Sequence, residues 1–443
     1  MKKKIALHNL GCKVNAYELE AMQQQLEAAG YEIVPFAPGA DAYIINTCTV
    51  TNIADRKSRQ MLHKAKKMNP QALVVAAGCY VQDGQDKLEA DEMVDVIVGN
   101  NKKKEIVSVL EEAWESRHAS RVIDINKTSE YEELSISRTA EHTRAYIKVQ
   151  DGCNQFCSYC IIPYTRGRVR SRRKEEICRE VELLAGNGYQ EVVLTGIHLS
   201  SYGADFPEER KETLLSLIQA VHQVEGISRI RLGSLEPRIV TEEFAAAIAK
   251  LPKICPHFHL SLQSGCSRTL KAMNRRYTAQ EYEACCRILR KYYDKLALTT
   301  DVITGFPGET EEDFEESRSF VERIGFFETH IFPYSRREGT KAAAMEGQLT
   351  EAEKKARSRV LLDLDRRQRK AFLEQFVGKT VEVLLEEETV LEGTAFWRGH
   401  TREYIPVLVE ARDGSANKKM EVKAEKIFEE QYLLCTKSSE KIG

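Results

Sequence analysis

The chain has 443 residues, too many for one ordinary domain and enough for about three. Its 42% hydrophobic and 30% charged residues exclude a disordered, collagen-like or membrane-spanning protein, and no apolar run nears the roughly 20 residues of a spanning helix or the roughly 7–15 of a secretory signal, so the expected compartment is the cytoplasm. A formal net charge of −2 confines any nucleic-acid site to a local patch, and 12 cysteines in a reducing compartment favour metal or catalytic uses over a disulfide framework.

Strand and helix signals alternate over the amino-terminal stretch. Buried-strand runs are expected at 5–10, 42–45, 73–77 and 94–98. A helix is expected over 15–30, with Leu19, Met22, Leu26 and Ala29 at helical spacing and Gly30 as the stop. This alternation predicts a doubly wound parallel α/β domain over 1–115. The polar stretch 116–138 reads as a linker. The alternation then restarts, with six strands expected at 145–149, 191–194, 230–232, 257–262, 298–303 and 328–332 and helical patterns between them. Six βα units predict an open (β/α)6 partial barrel over 139–370, with its chemistry at the carboxyl ends of the strands. An amphipathic helix at 351–370 carries eight Lys/Arg against four Asp/Glu. Beyond it the period changes to two. Strands at 380–385, 391–397, 404–409 and 420–427, with a turn at Asp413-Gly414, predict a small all-β module over 371–440. From 371 to 443 ten Lys/Arg face fourteen Asp/Glu, which argues against this module as the main RNA anchor.

Directly after the first barrel strand comes Cys153-Asn154-Gln155-Phe156-Cys157-Ser158-Tyr159-Cys160, a Cys-x3-Cys-x2-Cys spacing. Three thiolates on one short loop suit one corner of a cubane iron–sulfur cluster and leave one iron open to a small molecule. Structural zinc is the alternative, but it wants four ligands and no fourth lies nearby. A second triad is spread out. Cys12, Cys48 and Cys79 each follow an expected parallel strand, in the contexts Gly11-Cys12, Asn46-Thr47-Cys48 and Gly78-Cys79. Strand ends line one edge of a sheet, so these loops can converge on a second cluster. Taken singly, each is equally a small buried hydrophobe. The other six cysteines read as structural.

The central loop resembles the signature of the radical S-adenosylmethionine (SAM) superfamily. The resemblance implies SAM contacts at the strand ends. Thr195, Gly196 and Ile197 are similar to the turn that holds the methionine amino group. Ser234 and Glu236 stand where polar groups meet the ribose and carboxylate, and Gln263 ends the fourth strand. Ile303 and Gly305 belong to a turn, Ile303-Thr304-Gly305-Phe306-Pro307-Gly308-Glu309, that is similar to the one under the adenine, on which Tyr159 is placed to pack. One glycine turn after a strand is an ordinary connection; four at the same edge beside the cysteine loop point to a cofactor.

With both triads, the chain resembles the methylthiotransferase family over nearly its whole length: an amino-terminal three-cysteine domain, a radical-SAM barrel and a carboxyl-terminal β module called TRAM. Gly11-Cys12-Lys13-Val14-Asn15 and the run from Cys160 to Arg172 resemble the branch acting on threonylcarbamoyladenosine; the isopentenyladenosine branch carries Cys-Gln-Met-Asn at the first position and the ribosomal-protein branch Cys-Pro-Lys-Asn. The resemblance implies two 4Fe–4S clusters, one on Cys12, Cys48 and Cys79 and one on Cys153, Cys157 and Cys160, with SAM as cofactor and no catalytic side chain beyond the cluster ligands. It implies that a radical from SAM takes the hydrogen from carbon 2 of the adenine, and that a methylthio group then passes to that carbon from the amino-terminal cluster. The implied substrate is N6-threonylcarbamoyladenosine at position 37 of tRNA, next to the anticodon. An external electron donor of flavodoxin or ferredoxin type and a sulfur source are implied partners, with no membrane, and the chain is expected to be a monomer. A methylthiotransferase of another branch, or a non-catalytic RNA-binding metal-cluster protein, are the competing readings.

RNA contact needs local positive charge. From 138 to 174 nine Lys/Arg face two Asp/Glu, with Arg166, Arg168, Arg170, Arg172 and Arg173 following the cysteine loop. These five are expected at the active-site mouth, binding phosphate and the threonyl carboxylate. Phe396, Trp397 and Tyr404 are either base-stacking residues or module core.

Overall fold

The computed structural model describes residues 2–139, 143–210, 212–391, 393–410 and 414–437. The first sheet is wholly parallel, in the order Glu32–Val34, Lys4–Asn9, Ala42–Thr47, Leu73–Gly78, Val96–Val98, Ala119–Arg121. Ala42–Thr47 and Leu73–Gly78 are buried at every position, which is why they read as continuous apolar runs: helices cover both faces. The four expected strands are present. The two edge strands have only three residues each, half of them polar, and gave no run to read. The first helix spans Lys13–Ala28, with Cys12 at its N-cap and Gly30 past its end at φ +92.

The stretch expected as a linker is packed. Ala119–Arg121 joins the sheet, Leu134 and Ile136 sit in the barrel core, and the Ile136 N–H donates to Glu180 Oε1 at 2.6 Å. Tyr131 and Glu132 also bond inward, to the Lys148 carbonyl and the Lys104 N–H, so composition alone misled.

The barrel has the six expected parallel strands in consecutive order: Arg144–Asp151, Glu191–Gly196, Arg229–Leu232, His257–His259, Ala297–Thr304 and Glu328–Pro333. Between the third and fourth, only the bridges Ile230↔Ile254 and Leu235↔Leu260 carry the pairing. Ala145, Ile147, Val149, Val192, Leu194, Ile230, Leu232, Phe258, Leu260, Leu298 and Val302 form one core with the surrounding helices. Strand side chains alternate, so the residues between them face the barrel interior. Most of those are polar or charged, namely Arg144, Tyr146, Lys148, Gln150, Glu191, Thr195, Arg229, Arg231, His257, His259, Thr299 and Asp301, with Val193, Ala297 and Ile303 the apolar ones. A barrel lined this way is a polar chamber rather than a second packed core.

Helix Glu351–Glu374 opens with a capping box from Thr350 and Glu353 and lies along the last barrel strand. Part of its basic surplus is paired: Arg357 with Glu309 and Arg369 with Glu328. The β module is a closed barrel, in the order Thr380–Leu391, Thr394–Thr401, Pro406–Val409, Tyr432–Lys437, Lys419–Phe428. Tyr432–Lys437 is a fifth strand beyond the expected four; Asp413, in the expected turn, lies outside the described residues. Trp397 and Phe396 are buried, and Tyr404 stacks on His257 and His400 at 4.9 and 4.6 Å, so these aromatics are core and joint, not free base platforms. The module docks on the amino ends of the barrel strands. Arg229 donates to the His400 carbonyl at 3.0 Å and to Glu382 Oε1 at 2.8 Å, and Gln190 Nε2 to the Asn417 carbonyl at 2.9 Å. No described helix is long and apolar enough to cross a membrane.

Candidate functional site

Cys153, Cys157 and Cys160 leave the carboxyl end of Arg144–Asp151 and are all half-buried. Gly152, at φ +70, begins the loop; a Cβ there would lie 1.8 Å from the Arg168 carbonyl oxygen, so only glycine lets the loop fold against the returning chain. The Cys153 N–H donates to the Gly167 carbonyl at 3.0 Å and the Ser158 N–H to the Met273 carbonyl at 3.0 Å. Arg275 Nη1 donates to Cys157 Sγ at 3.3 Å. Burial, then the charge of Cys157, pushes Cys160 up to about 12, and burial pushes Cys153 up to about 11. Such thiols ionise together only when a cation shares them.

The second triad is assembled by topology. Cys12 and Cys48 leave the two strands, Lys4–Asn9 and Ala42–Thr47, between which the strand order reverses, the crevice where doubly wound sheets bind ligands. Cys79 begins the helix Cys79–Asp83 after the next strand. Two glycines let the loops close. A Cβ on Gly11 would lie 3.0 Å from Cys48 Cβ and 3.2 Å from its Sγ, and one on Gly78 would lie 2.5 Å from Asn46 Oδ1. Both have positive φ, +110 and +95. Asn15 Nδ2 laces the loops together, donating to the Leu10 and Thr47 carbonyls at 2.7 and 2.9 Å. Burial raises both Cys12 and Cys48, and each also feels the charge of Cys79.

Among the described residues neither triad brings its three sulfurs within 4.8 Å of one another. One tetrahedral zinc, with Zn–S near 2.3 Å, holds its thiolates about 3.8 Å apart. Two soft triads that are wider than a single ion requires fit polynuclear clusters.

The expected SAM residues all stand at or beside the carboxyl ends of the barrel strands. Thr195 is buried, and Gly196 and Ile197 are half-buried. Gly196 passes so close to Gln150 that a Cβ would lie 2.9 Å from its Oε1. Gln150 was missed by the sequence reading. It is fully buried, accepts from the His198 N–H at 2.8 Å and donates to the Gly152 carbonyl at 2.7 Å, joining the cysteine loop to the Gly196 turn. Its signal was a polar residue in register with Lys148 on a strand whose other face is Ile147 and Val149. Glu236 is buried and pairs with Arg238 at 2.7 Å, while Ser234 is exposed. Gln263 holds φ +73, with its N–H and carbonyl bonded to Asp301 and Ile303. The Gly305 N–H is bonded to Glu309 Oε2 at 2.8 Å. Tyr159 and Ile303 pack on the same apolar cluster of Met273, Phe306, Tyr334 and Ala342.

The arginine run requires correction. Arg166, Arg170 and Arg172 are buried between the amino-terminal domain and the barrel and are not open to substrate. Arg166 bonds Glu18, Asp151, Asn15 and Cys79; Arg172 pairs with Glu180 and with Glu133; Arg170 donates to the Arg168 carbonyl at 3.0 Å and faces Asp151 at 3.9 Å. Dense charge in a sequence does not tell a solvated face from a buried ion-pair network. Only Arg168 and Arg173 are exposed, with Arg168 over the Phe156 ring, 4.6 Å from its centroid, beside the cysteine loop. A different cation emerges. Lys13, next to Cys12, has an exposed side chain and, among the described residues, no anionic side chain in salt-bridge contact; the protein packed densely around it, then Arg144 and Arg231, push its ammonium down to about 8. Arg144 and Arg231 both lie against the Tyr404 ring, 4.9 and 4.7 Å from its centroid.

A model of the radical SAM superfamily matches residues 147–321, and one of an uncharacterized protein family, UPF0004, matches residues 4–99. The barrel and its loop therefore define a radical SAM protein. A solved radical SAM methyltransferase, TsrM from Kitasatospora setae, shares the fold, with TM-score 0.56 and 17% identity over 75% of each chain. Among curated proteins, the chain is 40% identical to the threonylcarbamoyladenosine tRNA methylthiotransferase MtaB of Bacillus subtilis, covering 95% of this chain and 93% of the relative. It is 43% identical to the MtaB of Aquifex aeolicus over 88% and 94%. It is 37% identical to the tRNA-2-methylthio-N(6)-dimethylallyladenosine synthase of Moorella thermoacetica over 87% of each. The chain belongs to the radical SAM methylthiotransferase family, and its cofactors are SAM and two 4Fe–4S clusters.

Proposed function

We propose that this enzyme methylthiolates carbon 2 of N6-threonylcarbamoyladenosine at position 37 of tRNA, as the names of its Bacillus and Aquifex relatives indicate for them. Cys153, Cys157 and Cys160 hold the cluster that works with SAM, and Cys12, Cys48 and Cys79 hold the one that serves sulfur insertion. When bound, these groups supply radical chemistry able to activate an aromatic C–H bond and the sulfur to replace it. The chain's own residues position and insulate. Thr195, Gly196, Ile197, Ser234, Glu236, Gln263, Ile303, Gly305 and Tyr159 form the SAM bed, and Gln150 ties that bed to the cysteine loop. Arg168 and Arg173 are left to meet tRNA phosphates. Flavodoxin- or ferredoxin-type reduction, a separate sulfur source, a cytoplasmic setting and a monomeric state complete the reading.

The observation that carries the substrate choice is Lys13. Beside Cys12 the threonylcarbamoyl branch has a cation where the isopentenyl branch has glutamine, and here that cation has no salt-bridge partner among the described residues and lies within the field of Arg144 and Arg231. A threonyl carboxylate supplies the missing anion; an isopentenyl group does not. The experiment is mass spectrometry of tRNA nucleosides from a strain lacking this gene. Loss of the 2-methylthio form with accumulation of N6-threonylcarbamoyladenosine is expected. Loss of the methylthiolated isopentenyl nucleoside instead would favour the activity named for the Moorella relative. Unchanged nucleosides would sink both.

A further inference from the structure

Arg166 is a barrel residue, six positions after Cys160, but its guanidinium is spent on the other domain. Nε donates to Cys79 Sγ at 3.2 Å. Nη1 donates to Glu18 Oε1 at 2.8 Å and to Asp151 at 3.2 Å, and Nη2 to Asn15 Oδ1 at 2.7 Å and Glu18 Oε2 at 3.1 Å. All five N–H groups are used and the side chain is fully buried. A second donor meets the same sulfur. Asn100 Nδ2 lies 3.6 Å from Cys79 Sγ and 2.7 Å from the Thr165 carbonyl, with its amide turned that way because Lys103 Nζ donates to its Oδ1 at 2.7 Å. Both contacts run through Thr165 and Arg166, the end of the barrel's cysteine segment. Lys103, Lys148, Arg166 and Arg170, all buried, face the buried carboxylates Glu18, Glu132 and Asp151, leaving one positive charge in excess in a network that reaches Cys79 through Arg166. An anionic thiolate or cluster balances it.

We infer that Arg166, assisted by Asn100, is a positioning residue for the amino-terminal cluster: its N–H···S bond to Cys79 raises that cluster's reduction potential and fixes its place relative to the barrel. Hydrogen bonds and positive charge at a ligand sulfur favour the reduced, more negative cluster, so removing them lowers the potential. The inference rests on Cys12, Cys48 and Cys79 being cluster ligands. It differs from a purely structural role for Arg166, which would lower stability and leave the potential alone.

The test uses the full chain carrying Cys153→Ala, Cys157→Ala and Cys160→Ala, reconstituted with iron and sulfide so that only the amino-terminal cluster is present, and titrated with dithionite under EPR detection. Arg166→Gln should lower the ratio of reduced to oxidised cluster at fixed solution potential by about tenfold, which is about 59 mV for one electron. Asn100→Ala should shift it the same way by less, and it serves if Arg166→Gln does not fold. Arg172→Gln is the control. It breaks the neighbouring buried pair with Glu180, touches no cysteine, and should lower the melting temperature with no shift of midpoint. Unmoved midpoints in Arg166→Gln and Asn100→Ala, or an equal shift in Arg172→Gln, would overturn the inference. A background protein that takes up no iron would instead overturn the ligand assignment beneath it.

Discussion

The two cysteine triads reach the same outcome by opposite routes. Cys153, Cys157 and Cys160 lie within eight residues on one loop, held by local backbone bonds and by Gly152. Cys12, Cys48 and Cys79 come from three loops, and what unites them is the sheet order and two glycines without room for a Cβ. A local site survives on short-range geometry; a distributed site exists only while the whole domain is folded. Each triad also has one cysteine bonded to an arginine, Cys157 to Arg275 and Cys79 to Arg166, but Arg166 crosses from one domain to the other. The spread-out triad is therefore also the one tied by a side-chain bond to the other domain.

The largest expected effect separates the triads by function. Replacing Cys153, Cys157 and Cys160 with Ala should abolish 5′-deoxyadenosine formation from SAM under strong reductant; cleavage that persists would show that this loop does not hold the SAM cluster. Replacing Cys12, Cys48 and Cys79 should leave 5′-deoxyadenosine formation in place and remove the methylthio product, read by nucleoside mass spectrometry. Product from that variant would return these cysteines to the core.

Next is the glycine difference. Gly78→Ala sets a Cβ 2.5 Å from Asn46 Oδ1 at φ +95. Strain of this kind costs about 1–3 kcal/mol, so the melting temperature should fall and iron should be lost from the amino-terminal site first. A variant that melts with the parent and keeps its iron would show that the loops tolerate the extra carbon.

The anion contact is of similar size. Lys13→Gln should lower kcat/KM on tRNA bearing threonylcarbamoyladenosine by roughly 10- to 150-fold, the worth of a charged hydrogen bond at about 1.5–3 kcal/mol, and leave binding of the unmodified transcript nearly intact. Equal losses on both RNAs would make Lys13 a phosphate contact. The smallest effect is on the surface. Arg168→Gln and Arg173→Gln should each weaken all tRNA binding and reduce the salt slope by about one; unchanged affinity and slope would leave them as solvated charge.

The legible parts of the molecule share a property. The barrel's six strands, the cysteine loop and the glycine turns are signals written within a few residues, and they lie where periodicity placed them. Cys12, Cys48 and Cys79 could be placed at one sheet edge because each follows a strand with an apolar run, the shortest of them at 5–7. Glu32–Val34, Ala119–Arg121 and Tyr432–Lys437 were not, because short or half-exposed strands are decided by their neighbours. The arginine run was misread for a related reason. Arg166 is neutralised by Glu18 and Asp151, and Glu18 lies on the first helix of another domain. Gln150 lay one residue past the expected strand at 145–149 and Lys13 was read only as part of a motif; the surroundings that give them roles are tertiary.

Iron content tests the central claim most directly. Two separate clusters predict about eight irons per reconstituted chain and about four in either triple cysteine variant. Iron that stays whole when one triad is removed, or vanishes entirely from a folded variant, would contradict two independent sites.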